Sequence, residues 1–153
     1  MLAMSPSECR ALLSEPRIGV IAVERRGRAP MCVPMWYAYD PGGDVCIWTG
    51  KTSAKARLME RHGRFSLCVQ SEERPYRFVA VEGPVSSMES IDFEQHVRPL
   101  VYRYLGVGAG DKYLTDYGGP DAFEEDVWIR MTPESWYSED YSNNSPERSG
   151  VTG

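Results

Sequence analysis

Val45-Cys46-Ile47-Trp48-Thr49-Gly50-Lys51-Thr52-Ser53-Ala54-Lys55-Ala56-Arg57-Leu58-Met59 holds no acidic residue, and none occurs between Asp44 and Glu60. The apolar run from Val45 to Thr49 predicts a strand. Gly50 turns the chain, and a helix is expected from about Ser53 to His62 with Gly63 as its C-terminal cap. The first turn of a helix carries about half a positive charge and favours Asp or Glu. This one offers Thr52 and Ser53 as capping hydroxyls and Lys51, Lys55 and Arg57 as cations. A bound anion resolves the conflict, and phosphate is the usual anion at such a place. The other reading is a solvated helix face whose cations happen to fall early, because a misplaced exposed charge costs little.

Upstream, Ser7 to Ser14 can form a short helix that Pro16 ends. Ile18 to Val23 reads as a strand and Arg25-Arg26-Gly27 as a turn. A second strand is expected from Ala29 to about Tyr39, interrupted by Pro34, which a strand tolerates at an edge or a bulge. Asp40-Pro41-Gly42-Gly43-Asp44 is a dense turn signal before Val45. These three strands are spaced like a meander. Downstream, Phe65 to Gln70 alternates like a half-buried strand. Tyr76 to Val85 follows, with a bulge expected at Gly83-Pro84. Ser90 is the expected cap of a second main helix, whose buried stripe is Phe93, Val97, Leu100, Val101 and Tyr104. Pro99 should kink this helix and Gly106 should end it. Asp111 to Tyr117 can form a short helical segment, and Val127 to Thr132 is expected as the last strand.

Six strands and two main helices without βαβ alternation predict a mainly β protein with an antiparallel sheet. A small closed or nearly closed barrel hides the edges of six strands most economically. The 153 residues suit one domain, expected over residues 1–137. The polar stretch 138–153 is expected to be a mobile tail.

The formal net charge of -5 argues against general nucleic-acid binding, which needs a broad cationic footprint. No apolar run is long enough to span a bilayer. Met1 to Arg10 lacks the pattern of a secretory signal, so a cytoplasmic location is expected. Cys9, Cys32, Cys46 and Cys68 show no CxxC spacing; they are expected as reduced core residues, with Cys32, Cys46 and Cys68 inside apolar strands. His62 and His96 stand alone, so no metal site is expected.

Two aromatic groups stand out. Val33-Pro34-Met35-Trp36-Tyr37 is either ordinary strand core or the frame of a flat aromatic ligand. Strand alternation sets Val33, Met35 and Tyr37 on one face and Pro34 and Trp36 on the other. Trp136 and Tyr137, with Tyr141, follow the expected last strand and have no element left to bury them; a partner subunit or a ligand could cover them. No catalytic triad, Walker loop or GxGxxG is present. Gly106-Val107-Gly108-Ala109-Gly110 reads as a loop rather than a dinucleotide site.

The order and spacing of Ile18-Gly19-Val20, Val33-Pro34-Met35-Trp36-Tyr37, Thr49-Gly50-Lys51-Thr52-Ser53-Ala54-Lys55, Gly63-Arg64-Phe65-Ser66-Leu67 and Val79-Ala80-Val81-Glu82-Gly83-Pro84-Val85 carry a resemblance. The chain resembles the pyridoxamine 5'-phosphate oxidase-like flavin-binding split barrels. It is especially similar to their small branch of flavin- or deazaflavin-dependent oxidoreductases. The resemblance implies a six-stranded split barrel and a homodimer, with FMN or the deazaflavin F420 at the subunit interface. It implies that Ser53 and Lys55 grip the cofactor phosphate. Ala54 stands where the oxidases often have Arg, so Lys51 or Arg57 would supply that charge. It places the ring near Pro34, Met35 and Trp36 and near Trp48, Thr49 and Gly50. The oxidases' C-terminal Arg-x-His motif is absent, so the oxidase reaction itself is not expected. The activity implied is hydride transfer to or from a small organic substrate. The alternative is a flavin- or ligand-binding protein without turnover. In such enzymes the cofactor carries the chemistry, and no catalytic side chain is named.

Overall fold

The protein is described by a computed structural model, over residues 2–144. Three helices, α1 (Pro6–Ser14), α2 (Ala54–His62) and α3 (Arg98–Tyr117), accompany eight strands. The strands are β1 (Gly19–Arg25), β2 (Arg28–Met35), β3 (Ala38–Tyr39), β4 (Val45–Gly50), β5 (Arg64–Gln70), β6 (Arg77–Ser90), β7 (Asp126–Met131) and β8 (Ser135–Asp140). Their order is β2-β1-β5-β6-β7-β4-β3, with β8 paired to β6 off this path. Every pairing is antiparallel.

Strand alternation builds the core. Ile21, Val23, Ile47, Leu67, Val79, Val81, Ile129 and Met131 point inward and meet Leu12 and Leu13 of α1 and Ala56 and Met59 of α2. A second cluster lies on the other face of β4 and β7. There Val97, Val101, Leu114 and Phe123 pack with Trp36 and Trp48.

The sheet has eight strands where six were expected, and its two edges, β2 and β3, are not paired with each other. The expected second strand is two strands, because Trp36 and Tyr37 leave the ladder between Met35 and Ala38. The edge position of β2 explains why Pro34 is tolerated. The meander is not formed: β2 and β4 lie toward opposite ends of the strand order.

The other added strand is β8, which starts at Ser135 and pairs Trp136 with Val81 and Tyr137 with Ala80. The domain therefore runs at least to Asp140, past the end expected at residue 137. Ser138 is buried and accepts a hydrogen bond from the Met4 N–H at 3.0 Å. Residues 138–140 are therefore strand and not tail. The remainder of the expected mobile tail, beyond residue 144, lies outside the described residues. Trp136 and Tyr137 do find neighbours: Trp136 meets Tyr39 edge-on and Tyr137 meets Phe78. Tyr137 nevertheless stays 61% exposed.

In β6 the register shifts between Val85 and Ser87, one step beyond the bulge expected at Gly83-Pro84. Gly83 has a different reason to be glycine. A Cβ there would lie 1.8 Å from the Thr132 carbonyl oxygen, so the link from β7 to β8 crosses directly over it. The helical region after β6 is capped by Asp92, whose carboxylate accepts from the Gln95 N–H at 2.8 Å. Ser90 instead ends β6. A single π-helical turn, Phe93–Val97, leads into α3. Gly106, at φ 77, breaks α3 as expected, but helix resumes at once through Gly108 and Gly110. The glycine-rich stretch is therefore mostly helical and not a loop.

All four cysteines are unbridged; Cys9 and Cys46 are buried, and Cys32 and Cys68 are exposed. The last two sit in apolar strands as expected, but alternation turns them to the outer face and not into the core.

Candidate functional site

The split in the barrel lies where the predicted site residues converge. β3 pairs with β4 through Ala38 with Cys46 and Tyr39 with Val45. Carried forward, that register would set Trp36 opposite Trp48, Met35 opposite Thr49 and Pro34 opposite Gly50. The ladder stops short of these residues. Pro34 and Met35 pair instead with Val20 and Gly19 of β1. An open seam is left between Pro34-Met35-Trp36 and Trp48-Thr49-Gly50.

The walls of this seam are held from outside. Trp36 stacks on Tyr104 of α3, with ring centroids 4.9 Å apart and planes 4° from parallel. The Tyr104 hydroxyl accepts from the Tyr37 N–H at 3.1 Å and donates to the Arg17 carbonyl at 2.8 Å. Burial raises the Tyr104 pKa, which keeps the hydroxyl a donor. Across the seam, Trp48 packs on Phe123, and its Nε1–H donates to Asp126 Oδ2 at 2.7 Å. Pro34 is exposed and Met35 is half-buried against the core.

Gly50 is a glycine that the fold does not itself require. Its φ is not positive, and an added Cβ would meet only Asp126 Oδ1, at 3.8 Å. The glycine keeps the backbone accessible at the seam, which suits close approach of a ligand.

At the end of β4, Ser53 caps α2: its Oγ accepts from the Ala56 N–H at 3.2 Å and lies 3.2 Å from Thr49 Oγ1. No acid occupies the first turn, and Gly63 closes the helix in the left-handed region at φ 67. Lys51 is exposed, and its N–H donates to the Glu125 carbonyl at 2.9 Å. Lys55 is half-buried. Ala54 is exposed and lines a cavity of about 450 Å³ between α2 and the β1–β2 hairpin. Arg57 enters the same cavity, about 200° around the helix from Lys55.

That cavity is strongly basic. Arg25, Arg28, Arg57 and Arg61 line it, together with Thr52 and Met31. Among the described residues, none of these arginines has a carboxylate within ion-pair distance. The structure thus brings Arg57 together with Arg25, Arg28 and Arg61, which the sequence reading did not single out, and sets Lys55 on a different face. Asp126 was also missed. No local pattern marks it, because only the β4–β7 register carries it to Gly50.

An open-seamed antiparallel barrel with a helix set beside the seam defines the class of split barrels. The chain belongs to the pyridoxamine 5'-phosphate oxidase family, whose model matches residues 5–137. Solved structures share the fold. An F420 reductase is 23% identical with a TM-score of 0.70, covering 84% of this chain and 94% of its own. A conserved hypothetical protein from Mycobacterium tuberculosis is 22% identical with a TM-score of 0.74, covering 95% and 91%. An FAD-binding protein from Mesorhizobium loti is 21% identical with a TM-score of 0.64, covering 90% and 93%. No curated protein matches the chain.

Proposed function

We propose that this protein is a cytoplasmic oxidoreductase that binds FMN or F420 at a homodimer interface and exchanges hydride with a small organic substrate. The observation that carries the reading is the acid-free start of α2 beside an open seam, next to arginines that have no ion-pair partner among the described residues. The residues fit a phosphorylated, flat, tricyclic cofactor. Ser53, Lys55 and the α2 N–H groups would hold the phosphate, with Lys51 or Arg57 adding charge. Pro34, Met35, Trp36, Trp48, Thr49 and Gly50 would border the ring. The cofactor supplies the hydride chemistry when bound. The chain's own part is to fix the seam through Tyr104 and Asp126, neutralise the phosphate and exclude water.

The outer sheet face supports the dimer. An apolar row crosses it through Pro34, Val20, Cys68, Ala80 and Tyr137, neighbours by register on β2, β1, β5, β6 and β8. Val20 is 40% exposed although β1 has a strand on either side. A second copy covering this row would bury it and bring a partner surface alongside Pro34 at the seam.

The test is titration of the purified protein with FMN and with F420, followed by fluorescence. Saturable binding of one of them supports the reading; no binding of either overturns it. The alternative of a binding protein without turnover is separated by hydride exchange with the loaded protein.

A further inference from the structure

A second cavity, of about 540 Å³, lies between α3 and the outer face of β4 and β7. Cys46 marks its strand side, four residues from Gly50 and so about 13 Å along β4. It is therefore separate from the start of α2, where the cofactor phosphate is placed.

Its floor is built around His96. This residue is only 7% exposed, and its ring stacks on Trp128 at 4.6 Å between centroids and 4° between planes. Nδ1 accepts from the Asp92 N–H at 2.9 Å, which places the proton of the neutral ring on Nε2. Burial lowers the His96 pKa, favouring that neutral form. Nε2 has no hydrogen-bond partner among the described residues, yet it is not sealed within the core. It is a fixed donor left facing the cavity.

The charges around it are divided. Arg130 and Arg103 line the cavity as cations. Arg130 gives its Nε–H to Glu89 at 2.6 Å and reaches the Cys46 sulfur with Nη1 at 3.8 Å, leaving Nη2 without a partner among the described residues. Asp40 and Asp44 line it from the turn between β3 and β4. Asp44 accepts from the Thr132 hydroxyl at 3.2 Å, and the Asp40 carboxylate has no partner among the described residues. A plain anion would meet the two aspartates, and a plain cation would meet the arginines. A compact molecule carrying both signs satisfies each side.

We propose that this cavity binds a small zwitterion of the α-amino acid class. Its carboxylate sits on His96 Nε2–H and Arg130, and its ammonium on Asp40 and Asp44. The cavity is within the size range of small-molecule sites.

The experiment is calorimetric titration of the full chain with each standard α-amino acid, with propionate and propylamine as single-charge controls. At least one amino acid is expected to bind with Kd below about 10 mM, and both controls at least about tenfold more weakly. His96→Phe keeps a ring against Trp128 and removes the Nε2–H, and should weaken binding about tenfold. Because it also removes the acceptor for the Asp92 N–H, Asp40→Asn on the exposed turn serves as a second variant with the same expected loss. The proposal is overturned if no amino acid binds below about 10 mM, if a control binds as tightly, or if Asp40→Asn binds like the parent protein.

Discussion

Replacing Lys55 by Glu should make the unliganded protein slightly more stable and its cofactor binding much weaker. Lys55 lies in the first turn of α2, which contains no acid. A carboxylate there interacts favourably with the helix dipole by about 0.3–1 kcal/mol. For a chain of this size, that raises the melting temperature by about 1–4 °C. The same change removes a charge-assisted contact to phosphate, costing about 1.5–3 kcal/mol. That is roughly ten- to a hundredfold in affinity, before repulsion between the introduced carboxylate and the phosphate is counted. The two signs oppose each other, so damage to the fold cannot mimic the result. The assay pairs a thermal melt without ligand with fluorescence titrations of FMN and F420. An unchanged dissociation constant for both cofactors refutes the phosphate site at Ser53 and Lys55. Arg57→Glu, measured alongside, reports on the arginine cavity: a loss confined to this variant would move the anion there.

Val20→Glu places a charge within the apolar row on the outer sheet face and should convert a homodimer into a folded monomer. Sedimentation at micromolar concentration reads this, and a monomeric parent protein would defeat the dimer. The lowered pKa of His96 comes first from burial and also from Arg130, while Glu89 and Asp92 oppose it. The unfolded chain therefore takes up the proton first, so this stabilisation is full above about pH 6.5 and is lost as pH falls below it. The melting temperature of the parent protein should drop more between about pH 7.5 and pH 5 than that of His96→Phe; equal drops contradict the assignment. Cofactor-loaded protein should not oxidise pyridoxamine 5'-phosphate. The segment around β8 offers Glu134, Glu139 and Asp140 and no cation, and tyrosine hydroxyls keep the Glu139 pKa below its usual range. Sustained turnover near 1 s⁻¹ would show this reading to be wrong.

Much of α2 was legible because its signals are local. Ser53 reaches the Ala56 N–H three residues on, and Gly63 adopts the left-handed cap that favours glycine. The half-buried character of β5 was equally legible from period-two alternation, with Phe65, Leu67 and Val69 buried. The second strand was misjudged because nothing local says that Trp36 and Tyr37 leave the ladder; a tyrosine on α3 holds them out of it. β8 was missed because its polar sequence forms a strand only where the first half of β6 leaves an edge free.

The sequence by itself determined a mainly β, antiparallel fold, a capped helix without acid in its first turn, and a strand–turn–helix suited to an anion. These follow from side chains acting on backbone a few residues away. Only the tertiary structure decided that the barrel stays open between Trp36 and Trp48 and that Asp126 stands beside Gly50. The same holds for the gathering of Arg25, Arg28, Arg57 and Arg61 around one cavity, and for the meeting of His96 with Arg130 and Asp40 around another. Each joins residues far apart in the chain, and strand register and helix docking, which depend on the summed packing of the whole core, set their distances.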